Sequence, residues 1–140
     1  MFLLNWYLIF IFFTPLLLPQ NNQWQIYNTG NSDIPVNSIH SVSIDSNNVK
    51  WISTWGGGVV KFDGNKWTVF NAENSPVPHN NIYEIFIDNK NNKWIATFGG
   101  GLLKFDNNDW TLFNTSNSEI PDNTIYALAE DKDNNLWIGT

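Results

Sequence analysis

Short apolar runs separated by turn residues recur along this chain, and their spacing predicts extended strands. In the middle of the sequence, NIYEIFID (81–88) carries apolar residues on both faces of an extended segment, and KWIATF (93–98) follows it across the tight turn NKNN. Two further runs, LLKFD (102–106) and WTLFN (110–114), are set apart by three glycines and by NND. Such runs are typical of strands rather than helices. The pattern predicts four antiparallel strands, which we denote strand positions a to d.

The four-strand pattern repeats with a period of 43 residues. About half of the residues in 24–66 are identical to their counterparts in 67–109, and a third copy spans 110–140. Two sets of tryptophans follow this period: Trp24, Trp67 and Trp110, and Trp51, Trp94 and Trp137. An asparagine also recurs in the turn between positions a and b, where a positive φ is expected: Asn48, Asn91 and Asn134.

Each predicted unit is apolar on both faces, so it needs a neighbouring unit on each side to cover them. The sequence therefore predicts an all-β fold of β-propeller blades, each a four-stranded antiparallel sheet, over residues 21–140. A β-solenoid is the alternative, but solenoid coils usually have shorter periods and one polar face. The copies amount to one strand at position d (24–28), two complete blades, and positions a and b of a third, about two and a half blades, whereas closed propellers have about four to eight. We therefore expect a fragment completed by further blades of a longer chain, or a chain that assembles with other copies and, alone, aggregates or oligomerises.

The first 20 residues differ in composition from the rest of the chain. MFLLNWYLIFIFFTPLLLPQ has no charged side chain and is mostly apolar, which is typical of a signal peptide or an N-terminal membrane anchor. No lysine or arginine precedes the apolar run, and no small-residue cleavage site follows it. We expect export to the periplasm or the cell exterior, with this segment as the chain's only contact with a membrane.

The amino-acid composition excludes some classes of binding partner and of functional site. The net charge is −6 and all seven basic residues are lysine, so arginine, which binds phosphate through two donors at once, is absent. Nucleic acid is therefore not an expected partner. The chain has no cysteine, which excludes disulfides, thiol nucleophiles and thiolate metal sites.

The motifs predict neither a metal site nor a cofactor. Asp45, Asp88 and Asp131 begin turns that resemble the start of an EF-hand loop, but all three lack the loop's glycine, so we expect these aspartates to cap turns. His40 and His79 fall at different repeat positions and lack a second histidine at ligand spacing. The repeated tryptophans, each with about 150–250 Å² of surface to bury, are expected to pack between blades.

The sequence IYALAEDKDNNLWIGT (125–140), together with GGGVVKFD (56–63) and GGGLLKFD (99–106), resembles the two-component regulator propeller repeat. The resemblance extends over residues 24–140. It implies a propeller of seven or a similar number of blades, usually in the extracytoplasmic sensor part of bacterial membrane-bound regulators, where carbohydrate fragments are frequent ligands. The repeat also occurs in secreted proteins without a kinase.

In a propeller the d–a and b–c connections emerge on one face, where ligands usually bind. Trp55 and Phe98 lie beside the glycines of the b–c connections and are candidate stacking platforms for a flat ligand. Asparagines in the d–a connections are candidates for amide hydrogen bonds to a sugar, although they are also placed to cap the start of position a. Tyrosines, with His40 in the first copy, lie near the same rim. The candidate ligand-binding residues are Trp55, Phe98, Tyr83, Tyr126, Asn37, Asn80 and Asn123.

The sequence thus predicts an exported ligand-binding or sensing module, part of a two-component-type sensor or a secreted propeller protein. Its ligand would be a glycan, another small molecule or a protein partner. Two alternatives stay open: a propeller-family enzyme, such as a lyase or glycosidase, and a structural or adhesive scaffold. The 140 residues contain no recognisable catalytic constellation, so no enzymatic activity is expected of this chain.

Overall fold

The computed structural model describes residues 24–140, which form short antiparallel strands without a helix. The signal peptide or anchor predicted for residues 1–20 lies outside the described residues. Within the described part of the chain, no helix has the length and apolar character needed to cross a membrane.

The ten strands of residues 24–140 form three sheets. Blade 1 contains, in spatial order, β1 (Ile39–Ile44), β2 (Lys50–Thr54), β3 (Val59–Phe62) and β4 (Trp67–Phe70). Blade 2 contains β5 (Ile82–Ile87), β6 (Lys93–Thr97), β7 (Leu102–Phe105) and β8 (Trp110–Phe113). The third hairpin contains β9 (Ala127–Glu130) and β10 (Leu136–Gly139). Each strand pairs antiparallel with the next strand of its own sheet.

These sheets confirm the expected blades, but one predicted strand is wrong. Residues 24–28, which the repeat assigns to position d, do not form a strand, and Trp24 is 94% exposed. The physical reason is that this segment has no neighbouring strand to pair with in the described chain. Tyr27 nevertheless contacts Trp67 at a ring-centroid distance of 5.1 Å, much as Phe70 of β4 contacts Trp110 at 5.5 Å in the next repeat.

Neighbouring sheets pack face to face through their strands at position a. β1 lies against β5, and β5 lies against β9, whereas β4 and β8 pack against β3 and β7 of their own sheets. Ser41 Oγ of blade 1 accepts a hydrogen bond from Ile85 N at 3.0 Å, and Ser53 Oγ donates to Tyr83 O at 3.4 Å. The position-a strands are therefore innermost and the position-d strands outermost, as in a propeller.

Two apolar layers lie between the sheets. The layer between blades 1 and 2 buries Trp51, Val59, Val77, Ile82, Ile85, Ile95 and Leu103. The layer between blade 2 and the third hairpin buries Ala96, Leu102, Ile125 and Leu128. Blade 2 contributes to both layers because successive side chains of a strand point to opposite faces. Ile85 enters the first layer, and the adjacent Phe86 packs against the second.

The exposure of the three tryptophans at strand position b depends on what covers them. Trp51 is 1% exposed, because Phe105 of blade 2 lies over it with ring centroids 5.8 Å apart. Trp94, against the two-stranded hairpin, is half-buried, and Trp137 is 65% exposed. Packing between blades is thus confirmed for Trp51. The same side chain is buried only where a complete blade follows.

An aspartate begins each a–b turn and accepts hydrogen bonds both from the turn backbone and from a tryptophan indole. Asp45 Oδ1 accepts hydrogen bonds from Asn47 N at 2.9 Å and Val49 N at 3.1 Å, and Asp45 Oδ2 accepts one from Trp51 Nε1 at 3.0 Å. The same three bonds recur for Asp88 with Trp94 and for Asp131 with Trp137. The prediction that these aspartates cap the turns is therefore confirmed. The positive φ expected in these turns is also confirmed, at 61°, 66° and 65° for Asn48, Asn91 and Asn134.

These hydrogen bonds lower the pKa of the three aspartates. At Asp131 the side-chain amide and backbone N–H of Asn135, followed by the Trp137 indole, lower the pKa from 3.8 to about 2. At Asp45 and Asp88 burial acts to raise the pKa, but the hydrogen bonds outweigh it and leave the pKa below its usual range. A carboxyl whose pKa is lowered by folding stabilises the fold above its unfolded pKa of 3.8. That stabilisation is lost as the pH falls through the folded pKa.

A buried ion pair joins the a–b turn of blade 1 to β6 of blade 2. Lys93 Nζ lies 3.1 Å from Asp45 Oδ2, and the two side chains are 0% and 4% exposed. The ammonium also donates to Asn91 O at 2.9 Å and to Asn107 Oδ1, and it lies 5.3 Å from the centroid of the Trp51 ring. Three acceptors therefore match the three donors of the ammonium group, which a buried lysine requires.

The second interface satisfies its aspartate without a lysine. One period after Lys93 the chain has Leu136, and one period after Val49 it has Asn92. The Asn92 amide donates to Asp88 Oδ2 at 2.7 Å, the oxygen equivalent to the one that Lys93 contacts in Asp45. The two interfaces thus use different residue pairs to satisfy the same carboxylate.

Lys93→Leu should lower the free energy of unfolding by about 3–5 kcal/mol, because it leaves the buried Asp45 carboxylate without its cation. The double variant Val49→Asn/Lys93→Leu copies the second interface and should recover at least about 1 kcal/mol of that loss, measured by urea unfolding. Lys50→Leu is the matched control, because among residues 24–140 the Lys50 ammonium bonds only to Asn48 of its own turn. A double variant no more stable than Lys93→Leu alone would contradict the compensation.

Asn135→Val should raise the pKa of Asp131 from about 2 toward 3.8, because it removes the strongest side-chain donor to that carboxylate. Trp137→Phe should raise the pKa of Asp131 by a smaller amount, because the indole is a weaker contributor than Asn135. The pKa is measured by carbon NMR titration of the Asp131 carboxyl, with Trp24→Phe as a control that leaves it unchanged. If Asp131 still titrates near pH 2 in Asn135→Val, the assignment of the donor is wrong.

Candidate ligand-binding face

The d–a and b–c connections lie together at one end of the sheets. Successive strands run in opposite directions, so both kinds of connection emerge at the same end, which we call the loop face. It comprises the d–a loops 28–38, 71–81 and 114–124 and the b–c loops 55–58 and 98–101. Backbone hydrogen bonds join the two sets: Gly58 N donates to Asn80 O at 2.9 Å, and Gly101 N donates to Asn123 O at 2.7 Å. The d–a loops 71–81 and 114–124 are thereby each fixed to the b–c loop of the preceding blade.

Glycine is required where these loops touch. Gly58 has a φ of 82°, and a Cβ at this position would lie 2.3 Å from the carbonyl oxygen of Phe70. A Cβ at Gly57 would lie 2.5 Å from the ring of Pro35 in the d–a loop. Blade 2 repeats both close approaches at Gly101 and Gly100. The absence of side chains lets the loops lie against each other.

Six aromatic side chains from all three sheets meet on the loop face. We call them the aromatic cluster: His40, Trp55, His79, Tyr83, Phe98 and Tyr126. The Trp55 ring stacks on His40 with centroids 5.2 Å apart and an interplanar angle of 18°, and it lies 5.3 Å from Tyr83 and 5.6 Å from Phe98. Tyr83 lies 4.8 Å from Tyr126. Rings at such distances attract one another, so the cluster is one continuous aromatic surface across two blade boundaries.

The aromatic cluster is partly open to solvent. Phe98 is 41% and Tyr126 is 53% exposed, His40 is exposed, and the other three rings are half-buried. The structure brings together the four aromatic residues that the sequence identifies as candidates: Trp55, Tyr83, Phe98 and Tyr126. Sequence reasoning does not identify His79, whose ring lies 5.8 Å from Phe98. Its counterparts in the other repeats are Val36 and Asp122, so the period gives no signal for it.

The three candidate asparagines bond within the loops that contain them. The Oδ1 atom of each accepts a hydrogen bond, 2.8–3.0 Å long, from the backbone N–H eight residues earlier. The pairs are Asn37 with Thr29, Asn80 with Ala72, and Asn123 with Thr115. These bonds close the d–a loops. A ligand contact through the amide nitrogens stays a prediction.

The two histidines of the loop face take part in stacking and hydrogen bonding. His79 Nδ1 accepts a hydrogen bond from Asn81 N at 3.0 Å, and His40 stacks on Trp55. Across residues 24–140, no group of three or more His, Asp or Glu side chains is placed to hold a metal ion. A flat, partly apolar ligand is the class that such a surface fits.

Comparison with solved structures identifies similar propeller domains. The extracellular domain of BT3049 from B. thetaiotaomicron, described as a hybrid two component system, is 32% identical with a TM-score of 0.73. PorZ, a surface component of the type-IX secretion system of Porphyromonas gingivalis, is 22% identical with a TM-score of 0.61. The extracellular domain of BT4673 from B. thetaiotaomicron, described as a one component system, is 21% identical with a TM-score of 0.59.

These structures are much longer than the present chain. The matches cover 84%, 83% and 74% of this chain but only 16%, 18% and 16% of BT3049, PorZ and BT4673, respectively. The two matches below 25% identity bear on the fold alone. No curated protein sequence matches this chain.

The family model described as "Two component regulator propeller" matches residues 119–140. This segment includes the third hairpin and the d–a loop before it, and the two preceding repeats share its period and its turn structure. Together with the four-stranded blades and the similarity to the BT3049 extracellular domain, the match identifies the repeat. Residues 119–140 thus carry the two-component regulator propeller repeat, and residues 24–140 share the propeller-blade fold of the BT3049 extracellular domain.

Proposed function

We propose that this chain is part of an exported sensing propeller and that its aromatic cluster binds a glycan. The observation that carries the proposal is the continuity of the cluster, in which rings from three sheets meet at distances of 4.8–5.8 Å on the loop face. Sugars present flat C–H faces that stack on aromatic rings, with hydroxyl groups at their edges for hydrogen bonds. A partly exposed aromatic surface fits that chemistry.

Burial alone does not account for the exposed rings of the cluster. Trp51 and its neighbours fill the layer between blades 1 and 2, whereas Phe98 and Tyr126 remain 41% and 53% exposed at the loop face. Exposed aromatic groups on a rigid scaffold are typical of binding surfaces. Trp55 N donates to Ser38 O and Phe98 N donates to Asn81 O, and these backbone bonds to the d–a loops hold both residues in place.

The similarity to BT3049 supports a sensing role and export. That structure is an extracellular domain of a hybrid two component system, and the chain is 32% identical to it over 84% of the chain's length. Because the chain spans 16% of BT3049, the activity of a whole domain of this kind is part of the proposal. The apolar segment 1–20 also supports export, either as a signal peptide or as an anchor.

Trp55→Ala and Phe98→Ala should each weaken glycan binding by at least about tenfold, because each removes a ring on which the sugar stacks. Affinity electrophoresis of the chain through native gels that contain soluble polysaccharides measures the change. The matched control is Trp24→Ala. It removes an indole ring like that of Trp55, but Trp24 is 94% exposed and lies outside the cluster. Retardation by no polysaccharide, or equal losses in Trp24→Ala, would argue against the proposal.

A further inference from the structure

The charged side chains divide unequally between the two ends of the blades. All seven lysines lie in or beside the a–b and c–d turns, at the end opposite the loop face: Lys50, Lys61, Lys66, Lys90, Lys93, Lys104 and Lys132. The loop face has four carboxylates and no lysine: Asp33, Glu73, Glu119 and Asp122. Residues 1–23 contain no charged side chain. The loop face therefore carries four carboxylates and no lysine, and its basic residues are the two histidines of the aromatic cluster, His40 and His79.

Within residues 24–140, no lysine forms an ion pair with the loop-face carboxylates. All four are exposed. The ion pairs within residues 24–140 join Lys93 to Asp45 and Lys132 to Asp133, both at the opposite end of the blades. Of the four, Asp122 accepts a backbone hydrogen bond from Thr124 N at 2.6 Å. A ligand approaching the aromatic cluster thus meets carboxylates that no lysine of residues 24–140 neutralises.

Building on the proposed function, we infer that the aromatic cluster accepts neutral saccharides and rejects acidic ones, such as uronic acid polymers and sulfated glycans. Two like charges about 10 Å apart in water weaken binding by a factor of about two. Four carboxylates at about that distance would together disfavour each ligand charge by roughly tenfold at low ionic strength, and salt screens the effect over about 10 Å. The negative faces of the aromatic rings act in the same direction.

Pairs of polysaccharides that share a backbone and differ in charge test this selectivity. Suitable pairs are hydroxyethyl cellulose with carboxymethyl cellulose, dextran with dextran sulfate, and pullulan with carboxymethyl pullulan. We expect the chain to bind the neutral member of at least one pair at low salt, and its acidic counterpart at least about tenfold more weakly, by affinity electrophoresis. Binding should be lost in Trp55→Ala and Phe98→Ala.

The outcomes separate this inference from the proposed function. Tighter binding of an acidic polysaccharide that depends on Trp55 and Phe98 would overturn the selectivity and leave the proposed function standing. Retardation by none of the six polysaccharides would overturn the proposed function, and the inference with it. Binding of a neutral member that is unaffected by Trp55→Ala and Phe98→Ala would place the site outside the aromatic cluster and overturn both.

A charge-neutralising variant tests whether the loop-face carboxylates cause the selectivity. Glu73→Gln/Glu119→Gln should bind the acidic polysaccharide about fourfold more tightly than the unsubstituted chain, with binding of the neutral one unchanged. The control Asp109→Asn/Asp133→Asn makes the same change in net charge at the opposite end of the blades and should have little effect. Equal gains in the two variants would show that net charge, rather than the loop face, excludes acidic ligands, and would overturn the inference.

Discussion

The mutual covering of apolar blade faces is the constraint on which the rest of this structure depends. A blade with apolar side chains on both faces is stable only against another blade, and the three equivalent tryptophans show the consequence in one molecule. Trp51 is buried by blade 2, Trp94 is half-covered by a hairpin, and Trp137 lies largely in solvent. The bond from each indole to its turn aspartate is the same in all three. Local geometry therefore forms in each repeat, and burial follows from the neighbour.

The aromatic cluster is a product of the same stacking. His40, Tyr83 and Tyr126 occupy one repeat position, in or directly before the innermost strands, so packing blade on blade brings them into a row. Trp55 and Phe98 join that row because the glycine loops carry them over the end of the sheet. A binding surface arises here without a specialised insertion, since the repeat places one ring from a strand and one from a loop in each complete blade.

Residue differences between the repeats give the aspartate at each blade interface a different hydrogen-bonding partner. Asp45 is satisfied by a buried lysine of the next blade, whereas Asp88 is satisfied by Asn92 of its own turn. Both solutions satisfy a carboxylate that would otherwise be costly to bury. The turns of the repeats thus share one backbone geometry although different residues satisfy their aspartates. The acidic residues of the loop face are likewise a property of the surface rather than of the blade scaffold.

The sequence by itself determined the period, the strand positions, the turn aspartates and the positive-φ asparagines, because these depend on residues close together in the chain. It also identified Trp55, Tyr83, Phe98 and Tyr126 as members of one face, because the repeat fixes which end of a blade they occupy. Only the tertiary structure decided that Lys93 pairs with Asp45, that His79 joins the aromatic cluster and that residues 24–28 do not form a strand. These features depend on which neighbour a residue meets across a blade boundary. A 43-residue period identifies equivalent positions, but it does not report contacts between positions that are not equivalent.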